Sequence, residues 1–180
     1  MIIIVIIAIF LLIILAIFAF PQLSPIPYFP SNKKDLPLII KALRLKNKQV
    51  VIDLGAGDGV IIFSAAKKAY ENKLYTKFIA VDINPVLLLI MHIRRFFHPN
   101  KKNIKIMYGD MFNLTIQPYN NLTIYLYISP WYLEEVISNL IPIRSGSNFS
   151  IVSYMYPIKS LKKQEKIIKG NEHDIFVYNI

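Results

Sequence analysis

The chain of 180 residues contains no cysteine, only six glycines and a single tryptophan. The absence of cysteine excludes a disulfide framework and agrees with a reducing compartment. Acidic residues are also scarce: 11 Asp and Glu stand against 21 Lys and Arg, giving a formal charge of +10. That charge lies wholly beyond residue 20, because residues 2–20 contain no charge, no Gly and no Pro. The three histidines, His92, His98 and His173, have no metal-ligand spacing with one another or with carboxylates, so no metal is implied. His92 reads as a helix residue and the other two as surface residues.

What is present at the N-terminus is an uninterrupted apolar run over 2–20. As a helix it would be roughly 28 Å long, close to the hydrocarbon thickness of a bilayer. A signal peptide is disfavoured, because nothing basic precedes the run, the run is too long, and Phe20-Pro21 follows it. The run is therefore expected to be a transmembrane helix, with the membrane lipid bilayer as a partner. Lys33, Lys34 and Lys41 follow it and no Lys or Arg precedes it, which places the remainder in the cytoplasm as a single-pass protein. The positive charge then fits a domain held against an anionic leaflet more economically than a nucleic-acid binder.

Pro21, Pro25, Pro27 and Pro30 make 21–31 a stiff, extended linker. Asn32 reads as an N-cap with Asp35 three positions on, opening a helix to about Leu45. Beyond it, strand and helix alternate. Val50 to Ile52 is a strand and 58–70 a helix; Phe78 to Val81 is the second strand, and Pro85 opens a helix to Phe97. Ile104 to Tyr108, Leu122 to Ile128 and Phe149 to Tyr154 read as further strands. A helix covers 131–140 between the last two, and Ile175 to Ile180 is a final strand. The alternation predicts an α/β, Rossmann-like fold with a mostly parallel sheet over 32–180. The closing antiparallel strands are expected to be abbreviated. Lys159, Lys162, Lys163, Lys166 and Lys169 would lie on one face of a helix, suited to lipid headgroups.

Three of the six glycines, Gly55, Gly57 and Gly59, follow the first strand within Val51-Ile52-Asp53-Leu54-Gly55-Ala56-Gly57-Asp58-Gly59. Glycine is required where the backbone turns tightly or a ligand approaches it closely. The dinucleotide fingerprint would place Gly at position 60, where Val60 stands, and a P-loop would require Gly-Lys-Ser/Thr. Asp53 would repel a pyrophosphate but suits a cationic amino-acid group, which points to S-adenosyl-L-methionine. Asp82 ends the second strand, where a carboxylate can accept ribose hydroxyls, and Asp110 follows Gly109 at the end of the third, placed for an adenine amino group. The neighbours Leu54, Ala56, Ile83, Asn84 and Met111 share that edge.

These residues resemble the class I S-adenosylmethionine-dependent methyltransferases. Pro27-Tyr28-Phe29-Pro30-Ser31 ahead of the glycine turn is similar to the entry of one membrane-anchored group. These are bacterial and archaeal relatives of the mitochondrial lysine methyltransferases acting on the adenine nucleotide translocator and the c-type rotor protein of ATP synthase. Tyr125-Leu126-Tyr127-Ile128-Ser129-Pro130 and Tyr154-Met155-Tyr156-Pro157 resemble that group's elements after the fourth and fifth strands. Val60 replaces its usual Arg, Asp82 its frequent Glu, and Ser31-Asn32 its hydroxyl–Pro pair. The resemblance implies a protein-lysine methyltransferase acting on a protein substrate, with an integral membrane protein as the favoured acceptor. It implies that Tyr28 contacts the cofactor, and that Tyr127, Ser129 and Pro130 orient the amine. Two alternatives stay open. Ser129-Pro130-Trp131-Tyr132 resembles the aromatic motif of nucleic-acid base amino-methyltransferases without its second Pro, and a non-catalytic cofactor-binding scaffold would use the same glycine turn.

Overall fold

A computed structural model of the protein describes the backbone of residues 1–19, 29–140 and 148–180, and side chains within 1–13, 29–140 and 148–180. Five α-helices and seven strands are found among these residues: α1 (Ile2–Ala19), α2 (Leu36–Ala42), β1 (Val50–Leu54), α3 (Val60–Glu71), β2 (Lys77–Asp82), α4 (Pro85–Phe97), β3 (Ile104–Tyr108), β4 (Asn121–Leu126), α5 (Pro130–Leu140), β5 (Asn148–Tyr154), β6 (Glu165–Ile168) and β7 (Ile175–Asn179). The seven strands form one sheet in the order β3-β2-β1-β4-β5-β7-β6. Strands β1 to β5 are parallel, and β7 runs antiparallel to both β5 and β6. Strand order reverses between β1 and β4, the position where ligands settle on such sheets.

The expected α/β alternation is met because the central strands are apolar on both faces. β1 is buried at every position. One face packs Val51, Phe78 and Ala80 against Ile39 of α2, Ala65 and Ala69 of α3 and Met91 of α4. The other packs Ile52, Leu54 and Ile124 against Leu133, Val136 and Ile137 of α5. Between β3 and β4 no helix forms; residues 109–120 cross as irregular chain.

Four expectations need correction. The transmembrane helix expected over 2–20 is not found as such: among the described residues no helix is long and apolar enough to cross a membrane. α1 covers Ile2–Ala19, but its described side chains end at Ile13. Residue 20 of that run and residues 21–28 of the proposed linker, Tyr28 included, lie outside the described residues.

The helix expected from Asn32 starts at Leu36. Asn32 Oδ1 instead accepts the Lys34 N–H at 2.9 Å in a local turn. Asp35 takes the cap position, but its carboxylate is committed elsewhere and caps nothing. The lysine-bearing helix over 159–169 is absent: Lys159–Gln164 is a 3-10 stretch, and Glu165–Ile168 is strand β6. The five lysines therefore share no helical face, and Lys169 pairs with Asp174 at 2.7 Å. The closing strands, far from abbreviated, are both present, because Ile175 to Tyr178 supply a fully buried central β7 against which β6 pairs.

Candidate active site

The glycine turn is tied to the end of β2. The Gly55 and Ala56 amides both donate to the Val81 carbonyl at 2.9 Å, and the Gly57 amide donates to Asp82 Oδ2 at 2.7 Å. Gly55, Gly57 and Gly59 all have left-handed φ, between 60° and 78°. At Gly59 no side chain fits: a Cβ would stand 2.7 Å from Phe63 and 3.0 Å from Met91. Arg94 of α4 fastens the far side of the turn, donating to the Asp58 carbonyl and to Asp58 Oδ2, both at 2.7 Å. Its guanidinium lies 4.9 Å from the Phe63 ring centroid.

The turn and β2 bring two carboxylates together at the carboxyl edge of the sheet. Asp53 is buried at 2 % exposure and Asp82 at 8 %. Burial pushes the Asp53 carboxyl well above its ordinary range, and the negative charges of Asp82 and Asp58 push it further. Burial raises Asp82 as well, against the amides of Asn84, Gly57 and Ile83 that hold its charged form. Two like charges in a poorly hydrated site favour a cationic partner over water. Asp82 Oδ1 accepts from the Asn84 amide at 2.8 Å. Asn84 itself serves as the N-cap of α4, its Oδ1 accepting from Val86 and Leu87.

The remaining cofactor candidates separate into two sets. Asp110 sits at the end of β3, where its carboxylate accepts from the Phe112 amide at 3.0 Å and from Asn113 at 2.8 Å. Met111 approaches the glycine turn: a Cβ on Gly55 would stand 2.8 Å from Met111 Cε and 3.7 Å from Ile128 Cγ2. Ile83 is partly exposed beside Asp82. Leu54 and Ala56, by contrast, are core residues beneath the turn. Any ligand contact from them is through their backbone.

A cavity of about 290 Å³ opens beside the turn at the ends of β4 and β5, sharing Ile128 with it. Tyr127, Ser129 and Pro130, the three residues singled out for amine orientation, all line it. Phe29, Trp131, Met155, Tyr156 and His173 line it too. His173 is therefore a site residue and not the plain surface residue its sequence context suggests, because the β6–β7 loop returns to the site only through the sheet. His98, also expected at the surface, is half-buried, with its Nε2 3.0 Å from the Phe63 carbonyl and its pKa lowered first by burial.

The walls of this cavity are fixed by long-range bonds. Tyr127 and Tyr154 meet edge to face at 4.9 Å, and Tyr154 meets His173 at 5.6 Å. The Tyr154 hydroxyl donates to Asp35 Oδ2 at 2.8 Å. The same carboxylate accepts from the Asn171, Glu172 and His173 amides. Burial alone would raise Asp35; these four donors outweigh it and hold the carboxyl below its ordinary value. Gly170 lets the loop close so tightly, since a Cβ there would collide with the His173 carbonyl oxygen. Ser31 Oγ lies 2.9 Å from the hydroxyl of Tyr125, the residue paired with Asp53 across β1 and β4. Met155 closes β5 at φ 72°, a conformation uncommon outside glycine. Its amide donates to the Asp174 carbonyl at 2.9 Å.

The fold is shared with known proteins. An RNA methyltransferase from Salinibacter ruber, solved with S-adenosyl-L-homocysteine, superposes with a TM-score of 0.70 at 18% identity, over 84% of this chain and 94% of that one. The Mycoplasma capricolum protein TrmK, also solved with S-adenosyl-homocysteine, matches with a TM-score of 0.56 at 19% identity, over 85% and 69%. The fold is that of the class I methyltransferases. In sequence, the chain is 24% identical over 163 residues to the ATP synthase c-subunit lysine N-methyltransferase of Caenorhabditis elegans, covering 85% of this chain and 80% of that protein. It is 25% identical to a protein-lysine N-methyltransferase of Saccharolobus islandicus, covering 86% and 94%. The chain is a relative of the protein-lysine N-methyltransferases. It spans 40% of the human ATP synthase c-subunit lysine N-methyltransferase, at 28% identity over 100 residues. No protein-family model matches the chain. The resemblance read from the glycine turn and the Tyr-Leu-x-x-Ser-Pro element is thus met in both fold and relatives.

Proposed function

We propose that the protein is an S-adenosylmethionine-dependent methyltransferase whose acceptor is a lysine amino group of a protein. The observation that carries this reading is the juxtaposition at Ile128. On one side stands a glycine turn with two buried carboxylates, on the other a narrow cavity walled by Phe29, Tyr127, Trp131 and Tyr156. The cofactor fits this chain: Asp53 offers a desolvated carboxylate suited to its cationic amino-acid portion, and Asp82 at the end of β2 is placed for its ribose hydroxyls. S-adenosylmethionine, when bound, supplies a methyl group activated on a sulfonium. The names of the relatives support the same choice of acceptor.

The chain's own residues supply position rather than acid chemistry. Burial first, and then Tyr156, raise the Tyr127 phenol above its ordinary value, so it stays a neutral hydroxyl at physiological pH. A neutral hydroxyl and the carbonyls of the Ser129-Pro130 lip orient an amine without trapping it as a salt. The aromatic walls accommodate the aliphatic stem of lysine and tolerate its methylated ammonium product. An apolar cavity also lowers the pKa of an entering lysine, favouring the neutral nucleophile. Alignment of the two reacting atoms then accounts for most of the rate.

The membrane anchor belongs to the same proposal. Every described large side chain of α1 from Ile2 to Ile13 is exposed apolar surface. A stretch of that kind requires an apolar partner. A bilayer holding α1, with Lys33, Lys34 and Lys41 and the catalytic domain on the cytoplasmic side, is the partner that fits. Acceptors in membrane proteins would then be concentrated near the site.

The test is to incubate membrane and soluble fractions of the native cell with methyl-labelled S-adenosylmethionine and full-length protein, with Asp53→Ala as control. Label on lysine in a discrete protein band, absent with Asp53→Ala, is the expected result. Label in nucleic acid, or label that survives Asp53→Ala, overturns it. Resistance of the protein to alkaline extraction from membranes checks the anchor separately.

A further inference from the structure

The face of α4 turned away from the sheet is unlike any other helix face among the described residues of the catalytic domain. Leu88 and Met91 bury the inner side. Leu89, Ile93 and Phe96 lie within one turn-to-turn stripe on the outer side, with Ile90 and Phe97 beside it, all exposed to between 39 % and 79 %. Phe96 and Phe97 stack edge to face at 5.1 Å, and Lys101 Nζ sits 5.2 Å from the Phe96 ring centroid. Five large apolar side chains on one exposed helix face exceed the scattered apolar exposure of an ordinary soluble surface.

The surroundings of this stripe are basic. From Ile83 to Gly109 the chain has no Asp or Glu, but carries Arg94, Arg95, Lys101, Lys102 and Lys105. Arg94 is occupied by Asp58, which leaves Arg95, Lys101 and Lys102 near the end of the stripe and Lys105 on the β3 edge. On the opposite face of the sheet the missing helix between β3 and β4 leaves a groove of about 550 Å³, floored by Ile52, Ile79 and Val81, which reaches round the β3 edge to Arg95 and Lys102 and carries Lys77 and Lys105 at its border. An apolar face with cations at its border matches the acyl and headgroup layers of an anionic bilayer. Nucleic acid would use the cations and the aromatic faces but leaves Leu89, Ile90 and Ile93 without a partner.

We propose that the outer face of α4, together with the β3 edge, docks the catalytic domain flat on an anionic lipid surface. Each basic side chain at such a surface adds attraction, while the stripe inserts at the headgroup boundary. This contact is distinct from α1 and depends neither on α1 crossing the bilayer nor on the identity of the methyl acceptor.

The chain's lack of cysteine makes the test direct. Full-length protein carrying Ile93→Cys, labelled with an environment-sensitive fluorophore, is reconstituted with phosphatidylcholine vesicles with or without phosphatidylglycerol and with a lipid-borne quencher. Lys163→Cys, exposed beside β6 at the opposite sheet edge, carries the same label as control. The expected result is a blue shift and quenching at Ile93, stronger with phosphatidylglycerol, and neither at Lys163. Adding Lys101→Glu and Lys102→Glu should remove most of the quenching at Ile93, since each reversed charge costs roughly a tenfold or greater change in local attraction. Equal signals at the two positions overturn the proposal. A shift at Ile93 produced by RNA and not by phosphatidylglycerol vesicles overturns it equally. Cofactor binding of the labelled protein, measured by calorimetry, confirms that each variant is folded.

Discussion

The two halves of the candidate site are built in opposite ways. On the cofactor side, most carboxylate partners are near one another in sequence: Asp82 accepts from Asn84, Asp110 from Phe112 and Asn113, and Asp58 from Val60, while the Gly57 bond to Asp82 ties two successive strand ends 25 residues apart. On the acceptor side, Asp35 meets Tyr154 and the loop 171–173, and Ser31 meets Tyr125, each across most of the chain. A local turn can be prescribed by residue type, because backbone dihedrals and short-range hydrogen bonds are decided within a few residues. A cavity wall assembled from four distant segments depends on the whole sheet being in register.

Breaking the acceptor side at its hub should have the largest effect. Asp35→Ala leaves the Tyr154 hydroxyl and three amides without their acceptor, and should lower unfolding stability by about 3–5 kcal/mol. Urea unfolding measures it, and a loss under about 1 kcal/mol would sink the hub role. Sign and pH window follow from the carboxyl being held low. The stability it contributes is present above the pKa of an unfolded aspartate and is lost as pH falls through the lower folded value. Asp35→Asn should accordingly flatten the acid limb of the stability profile.

On the cofactor side, Gly59→Ala forces a side chain into a left-handed position against Phe63 and Met91. A cost of about 2–3 kcal/mol is expected from strain and overpacking. Thermal unfolding should show it, and an unchanged midpoint would mean the turn relaxes freely. Asp82→Ala should weaken S-adenosylmethionine binding at least about tenfold in calorimetry, the loss of a hydrogen bond to a charged site. Unaltered affinity would remove Asp82 from the cofactor site.

Asp53→Asn sharpens the comparison, because stability and binding should move in opposite directions. Its folded pKa is raised, so ionised Asp53 opposes folding increasingly as pH rises from the unfolded value toward the raised folded one. The amide should therefore stabilise the ligand-free protein at neutral pH by about 1 kcal/mol, while weakening cofactor binding. Loss of stability with retained binding would reverse the assignment. Ser31→Ala should be the mildest change, about 1 kcal/mol or less in stability from one hydroxyl contact. A large loss of methyl transfer in that variant would move Ser31 from the wall into the reaction.

Legibility in the sequence follows the same division. Asp53, Asp82 and Asp110 are readable because strand ends in an alternating α/β pattern all reach one sheet edge. Tyr127, Ser129 and Pro130 are readable from the resemblance of the segment that contains them. Phe29, Met155 and Tyr156 lie in segments that carry the resemblance but had no role assigned to them, and His173 is placed at the cavity by neither signal. Nothing in local sequence says that the β6–β7 loop is pulled over the sheet by a carboxylate more than a hundred residues away. Asp35 looks like part of a capping box for the same reason: its true partners are tertiary. The lysine-rich segment 159–169 looks helical because charge periodicity takes no account of the demand of β7 for an edge partner.

By itself, the sequence determined the apolar N-terminal run, the order of strands and helices through β5 with the final strand β7, the glycine turn and the three strand-end carboxylates. Each of these rests on side-chain periodicity or on backbone preference, which act over a few residues. Tertiary structure alone decided strand β6 and its pairing with β7, the buried Asp35 hub, the aromatic cavity and the exposed outer face of α4. Those features arise where distant segments compete for the same sheet edge and the same hydrogen-bond donors, and only the folded register settles that competition.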